Sequence, residues 1–243
     1  NNKEMFVTVC APPDAKGYRD CNLFRTHYDN HVDFGTGKQV WEWTGLDDLG
    51  PDINTEGWES QPSLSADGRT LYFATNRQGS RGIDIYMSTR GKDGAWAPAR
   101  PVPGPINTDA DDKAPFMHSD SRTLYFASKG HKGVGGYDIF LSRMKDDGTW
   151  GEPKNIGHPL NTAQDEHGLI VSADGRTAYF ASSRFHGAGG LDIYSFAVPK
   201  DARPDDIIVV KGQVRDDQGQ VVRDAKVEIK YLDTRQTEVL RVD

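Results

Sequence analysis

The feature that most restricts the fold of this 243-residue chain is a segment that occurs three times. Ala66–Ser88 reads A-D-G-R-T-L-Y-F-A-T-N-R-Q-G-S-R-G-I-D-I-Y-M-S, a tight turn, an apolar run, a Gly-rich stretch and a second apolar run; Ser119–Ser142 and Ala173–Ser195 repeat that order. The markers keep one interval. Asp67, Asp120 and Asp174 are 53 and 54 apart (120−67, 174−120), and Asp84, Asp138 and Asp192 are 54 and 54 apart. Asn54, Asn107 and Asn161, each followed by Thr, and Trp43, Trp96 and Trp150 keep the same step. Self-similarity at a fixed interval is the signature of an array of equal structural units.

Each period reads as four short strands. Around the first copy these are Glu59–Ser65, Thr70–Thr75, Ile83–Thr89 and a strand beginning at Trp96. The Ala-Asp-Gly-Arg turn joins the first two, with Gly68 and Gly175 supplying the positive φ of a tight hairpin. Ser121 replaces that glycine in the middle copy, which predicts a slightly different turn there. The Gly-rich loops Arg77–Gly82, Lys129–Gly136 and Arg184–Gly190 join the second strand to the third. Leu71-Tyr-Phe-Ala74 and Leu124-Tyr-Phe-Ala127 are apolar on both faces, so both faces must be covered. A four-stranded meander covered on both sides by its own copies is a propeller blade. The expected fold is all-β: a β-propeller of four-stranded blades, partial in this chain, followed by a small β-sandwich.

Composition agrees with many short strands and tight turns, since the chain holds 26 Gly and 13 Pro. No run of about 18 apolar residues exists, so no transmembrane segment is expected. The net charge of −7 argues against nucleic acid as a partner, which needs a basic face. Asn1-Asn2-Lys3-Glu4 lacks the basic and apolar regions of a signal peptide, but a mature segment would look the same. Cys10 and Cys21 flank Ala11–Asp20, between Met5–Val9 and Asn22–Thr26. If those runs pair as antiparallel strands, the cysteines face each other and a disulfide is geometrically reasonable. Two buried thiols and a metal pair are the alternatives. A disulfide implies an oxidising compartment.

The run S-A-D-G-R-T-L-Y-F with a following G-x-D-I-Y and W-x-P resembles the PD40, or WD40-like, propeller repeats of the TolB-like group. The larger order, W-E-S-Q-P-S-L-S-A-D-G, then G-G-Y-D-I-F, then G-G-L-D-I-Y-S-F, is similar to the OmpA-family periplasmic lipoproteins of Bacteroidetes, of the PorE type in type IX secretion. The Cys10–Cys21 segment resembles a degenerate blade of that family with paired cysteines. Residues 1–199 are then the propeller: 1–53 a first blade without a clear first strand, with Val40–Leu49 as its fourth; 54–106 and 107–160 complete blades; 161–199 three strands of a further one. Residues 200–206 read as a linker. Residues 207–243, with strands expected at Ile207–Val214, Lys226–Leu232 and Glu238–Val242, resemble an incomplete carboxypeptidase regulatory-like sandwich. Closing the ring is expected to need a further blade.

Three groups of residues are candidate sites. Glu59, Asp112 and Glu166 each lie eight residues before the turn aspartate of their copy, at the mouth of an innermost strand. In a closed ring they would girdle the channel and hold a cation or a basic peptide; alternatively each accepts backbone N–H bonds from the next blade. Asp84, Asp138 and Asp192, set between large apolar residues, read as structural carboxylates hydrogen-bonded to the preceding Gly loop. The seven histidines include His131 and His186 in equivalent loops, but none forms a metal-binding pair at short spacing, and they read as solvated. No metal and no cofactor is expected. Neither G-x-S-x-G nor a lone Cys with a partner His occurs, and Ser65 and Ser172 stand in repeated turns, so no catalytic residue is assigned. Trp58, Trp96 and Trp150 are expected between blades, with an exposed aromatic face for glycans as the alternative.

The resemblance implies a non-catalytic interaction scaffold of the bacterial envelope, periplasmic and associated with the outer membrane. Its partners would be envelope or secretion-system proteins, and peptidoglycan would be reached only through an OmpA-like domain that these residues do not contain. The rival reading is an enzyme, or an enzyme's accessory propeller, acting on glycans or peptides.

Overall fold

The structure, a computed structural model, describes residues 3–166, 168–182, 192–207, 213–222, 225–230, 235 and 237–242. The chain divides into two compact units, 1–207 and 208–243. The first holds four consecutive antiparallel sheets, the four blades of a β-propeller arrangement. Blade one comprises β1 (Glu4–Cys10), β2 (Cys21–Val32), β3 (Gln39–Trp43) and β4 (Asp47–Asp48); blade two β5 (Glu59–Leu64), β6 (Thr70–Thr75), β7 (Asp84–Thr89) and β8 (Arg100–Pro101). Blade three comprises β9 (Asp112–Met117), β10 (Thr123–Ser128), β11 (Asp138–Arg143) and β12 (Lys154–Asn155); blade four β13 (Ile170–Val171), β14 (Thr177–Ser182) and β15 (Asp192–Ala197). The only described helix is one 3-10 turn, Lys200–Ala202, and none is long and apolar enough to cross a membrane.

Blades two and three are meanders in which each strand pairs with its neighbour in sequence. Register shows how blade one relates to them. Leu23 in β2 holds the place of Ile85 and Ile139, because each has its N–H accepted by a periodic asparagine: Asn54, Asn107 and Asn161. So β1 and β2 are strands two and three, β3 and β4 together form strand four, and no strand lies inside β1 among the described residues. The first blade's fourth strand follows the expected Val40–Leu49, starting one residue earlier at Gln39 and broken at Thr44–Leu46. Cys10 and Cys21 face each other across the β1/β2 pair and are disulfide-bonded.

The blades stack through one recurring contact. Phe6 of blade one meets Trp96 of blade two edge-on, with ring centroids 5.9 Å apart; Tyr72 of blade two meets Trp150 of blade three at 6.4 Å in the same way. In each case an aromatic on strand two receives the strand-four tryptophan of the next blade. Arg90 lies over Trp96 and is held by Glu4 of blade one at 2.8 Å. Among the described residues blade four shows three strands, and the 3-10 turn packs on blade three: Ala202 is buried and its carbonyl accepts a bond from the Tyr125 hydroxyl of blade three at 2.6 Å. Within the stretch read as a linker, Ala202 thus packs on the propeller, where Tyr125 needs both an apolar cover and a hydrogen-bond acceptor. The cores follow the same order, blade one on two, two on three and three on four.

Turn chemistry repeats as well. Gly68 and Gly175 have φ of 69° and 68°, and Ser121 adopts φ 53° at the equivalent place, so the middle turn is left-handed like the others. What differs is the residue that closes it. Ser65 and Ser172 bond their turn aspartates, while in blade three the buried His118 does this and reaches the Ser172 carbonyl of blade four at 3.1 Å. In the second unit β16 (Ala225–Lys230) pairs with β17 (Thr237–Val242) as a hairpin. The expected strand at Ile207–Val214 falls largely outside the described residues.

Candidate functional site

The carboxylates expected to ring the channel are buried: Glu59 and Asp112 are fully enclosed and Glu166 is 7% exposed. Each folds back on the threonine four residues before it. Glu59 accepts bonds from Thr55 N (2.8 Å) and Thr55 Oγ1 (2.8 Å), and Asp112 from Thr108 N (2.6 Å) and Thr108 Oγ1 (2.8 Å). Glu166 accepts from Thr162 N (3.0 Å) and from Thr162 Oγ1. Glu59 also accepts from Thr75 Oγ1 at 2.7 Å and pairs with Arg77. These donors belong to the same blade as the acid: the lead-in loop in all three and, for Glu59, also β6 and Arg77 in the loop after it. Burial pushes the Asp112 carboxyl above its ordinary value against the opposing bonds from Ser128 and Thr108. The oxygens of these carboxylates that accept the threonine bonds are thus engaged inside their own blades.

The Asn before each threonine completes the device. Asn161 Oδ1 accepts Ile139 N at 2.8 Å and its Nδ2 donates to Ile139 O at 2.8 Å; Asn107 does the same to Ile85 at 2.7 and 2.9 Å, and Asn54 to Leu23 at 2.9 and 2.9 Å. One Asn-Thr dipeptide therefore ties strand three of one blade to the buried acid that starts the next.

Asp84 and Asp138 hold the Gly-rich loops. Asp138 Oδ2 accepts Val134 N (2.8 Å) and Gly135 N (2.9 Å), and Asp84 Oδ2 accepts Arg81 N (3.3 Å). The loop closes so tightly that a Cβ on Gly133 would overlap the Asp138 carboxyl. Asp192 begins β15, but its loop, with His186, lies outside the described residues, as does His167. His131 is not a solvated loop residue: its ring packs on Phe126 and Phe140, and its Nε2 lies 3.0 Å from the Ile106 carbonyl. Among the described residues no group of three or more His, Cys, Asp or Glu gathers as a metal site.

The surface left over for a ligand lies along the innermost strands. Segments 61–64, 114–117 and 168–170 line one groove of about 540 Å³, with Leu64, Phe116, Leu169 and Ile170 among its apolar walls. Each segment starts in the left-handed region: Gln61 has φ 57°, Ala114 φ 51° and Gly168 φ 76°. In β5 and β9 this is a β-bulge, seen as a register shift between Ser60 and Ser63 and between Tyr125 and Ala127. A bulge bends its strand and redirects the following side chains, here Pro62 and Pro115. The left-handed conformation costs about 1–2 kcal/mol at a residue other than glycine. Cross-blade bonds offset it: Gln61 Oε1 accepts Ala114 N (2.8 Å) and Ser63 Oγ accepts Met117 N (2.9 Å). These positions escape a reading for motifs because Gln, Ala and Gly share no chemistry. Their signal is positional, two residues after each periodic acid and before proline in two of the three copies.

Lys113, next to the Asp112 carboxylate in β9, and Lys129 both lie over the Tyr137 ring, at 3.7 and 4.2 Å from its centre. The Tyr137 hydroxyl donates to Asp111 at 2.7 Å. Burial, and then the neighbouring Lys129 charge, lower the Lys113 pKa.

No protein-family model matches the chain, and no curated protein matches it. Among solved structures it is similar to TolB from Acinetobacter baumannii, at 14% identity over 99% of this chain and 64% of that one, with a TM-score of 0.45. It is similar to Kuenenia stuttgartiensis hydrazine synthase (15%, 79% and 30%, TM-score 0.44). A third is the GH43 endo-arabinanase from Bacillus licheniformis (14%, 90% and 72%, TM-score 0.42). The chain thus spans 64% of the TolB chain. The set mixes enzymes with TolB, and the likeness is one of fold.

Proposed function

We propose that the propeller is a non-catalytic binding module of the bacterial envelope that takes a polypeptide partner in the groove between its innermost strands. The observation that carries this is the division of labour among repeated residues. The repeated acids and turn serines are engaged within their own blades, and the repeated asparagines tie each blade to the one before. The repeated bulges instead shape a groove with apolar walls and a few polar side chains. A cleft of that composition suits an extended polypeptide segment with apolar side chains. The Cys10–Cys21 disulfide supports an oxidising compartment such as the periplasm. The OmpA-type lipoprotein reading and the link to type IX secretion rest on the sequence resemblance alone and are part of the proposal, as are the regulatory-like identity of residues 207–243 and peptidoglycan anchoring through a domain outside this sequence.

A photocrosslinking amino acid placed at Ser119, on the groove wall, tests the reading in envelope extract. A discrete crosslinked protein, competed away by untagged propeller and absent when the crosslinker sits at the exposed Phe34, is the expected result. Turnover of glycan or peptide substrates with no crosslinked partner would overturn it in favour of the enzyme reading.

A further inference from the structure

Blades three and four and the segment that follows them form a cavity of about 460 Å³, which shares no lining residue with the groove. Its walls are Arg143 at the end of β11, the β13–β14 turn at Asp174 and Arg176, and residues 200–206. That segment is fixed on the propeller along its length. Lys154 holds Asp201 at 2.5 Å, the Tyr125 hydroxyl donates to the Ala202 carbonyl, and Arg143 donates to the Arg203 carbonyl. Asp120 accepts Asp205 N at 2.9 Å, and Gly175 lies so near Pro204 that a Cβ would come within 2.7 Å of its ring. The cavity is therefore built into the fold.

Its lining is charged, and the charges are unevenly engaged. Asp174 accepts Ser172 Oγ at 2.5 Å and Arg176 N at 3.0 Å. Asp201 is held by Lys154, and Asp205 lies 3.9 Å from Arg122, neither of which lines the cavity. The lining cations are Arg143, Arg176, Lys200 and Arg203, and among the described residues none of them forms an ion pair. Arg143 and Arg203 each donate to a backbone carbonyl, of Arg203 and Val198, while the side chains of Arg176 and Lys200 make no hydrogen bond among the described residues.

We infer that this cavity binds a phosphate monoester of a small polyol or amino alcohol. Planar guanidinium forks match phosphate oxygens, and a phosphoryl group brings about two negative charges and three acceptor oxygens. A lone carboxylate would leave most of these cations without a partner. The cavity is also larger than a bare phosphate needs. Asp206 stands on its lining with a carboxylate that has no partner among the described residues, an acceptor for a hydroxyl or ammonium group of the same ligand. The inference does not rest on the groove having a polypeptide partner.

Isothermal titration calorimetry of the full chain at low ionic strength tests it, with inorganic phosphate, glycerol 3-phosphate and phosphoethanolamine as probes. Saturable binding at one site is expected for the two esters, weakened about tenfold by Arg176→Ala or by Lys200→Ala, the loss of one charge-assisted bond. Both side chains are exposed and unbonded, so both variants should keep the parent melting temperature. Inorganic phosphate should bind more weakly than the esters, and Asp206→Asn should remove that difference. No saturable heat from any of the three probes would overturn the inference, and so would binding that Arg176→Ala and Lys200→Ala both leave unchanged.

Discussion

Replacing Asn161 by alanine tests the claim that the Asn-Thr dipeptide fastens neighbouring blades. Its side chain is 2% exposed and makes three bonds: Oδ1 accepts Ile139 N at 2.8 Å, and Nδ2 donates to Ile139 O at 2.8 Å and to Asn155 Oδ1 at 2.7 Å. Alanine leaves the Ile139 N–H without its acceptor inside the stack of blades three and four, while the Ile139 carbonyl keeps its bond from Ile156 N at 3.2 Å. A buried group stripped of its partner costs about 1–3 kcal/mol, so the loss is about 1–3 kcal/mol. For a domain of this size each kcal/mol shifts the melting temperature by about 2–4 °C, giving a fall of roughly 2–12 °C. Asn161→Asp should be nearly as harmful, since it keeps the acceptor for Ile139 N but sets a carboxylate against two oxygens. Asn54→Ala should cost less, because its clasp on Leu23 is only partly buried. Differential scanning calorimetry measures all three. An Asn161→Ala melting temperature unchanged within error would refute the reasoning, because an unpaired backbone N–H cannot be buried at no cost.

Three further outcomes are expected. Cys10→Ser with Cys21→Ser should lose up to about 3 kcal/mol, the chain-entropy value for a loop closed across a separation of 11 residues, with urea denaturation as the assay. Asp138→Ala should lower the melting temperature by several degrees, because Val134 N and Gly135 N lose their acceptor. Asp120 is held well below the usual carboxylate range: burial alone would raise it, but bonds from His118, Arg122 N and Thr123 outweigh burial. A depressed folded-state pKa gives stability that is present above the unfolded value near 3.8 and is lost as pH falls through the folded value. Asp120→Asn should therefore flatten the dependence of melting temperature on pH below about pH 4, where the parent loses stability.

The repeat made the blade legible in the sequence, because turn, apolar run and Gly-rich loop recur with local chemistry that residue types announce. Strands two and three, the hairpin turns and the Cys10–Cys21 pairing all follow from contacts close in the chain. The candidate site was less legible. The spacing marked Glu59, Asp112 and Glu166 and marked the Asn-Thr dipeptides, but only packing shows that the acids turn inward onto the threonines and that the asparagines reach back to the preceding blade. The left-handed Gln61 and Ala114 carry no residue signature, since cross-blade bonds such as Gln61 to Ala114 stabilise them.

The 53–54-residue interval by itself determined the four-stranded unit and the order in which units follow one another, because strand pairing within a blade is between neighbours in sequence. Tertiary structure alone decided which equivalent residues are buried. Trp43, Trp96 and Trp150 share one register, and among the described residues the latter two are buried against the aromatic of the preceding blade while Trp43 is 43% exposed. Burial depends on what lies across the junction, and the interval within one blade holds no information about that.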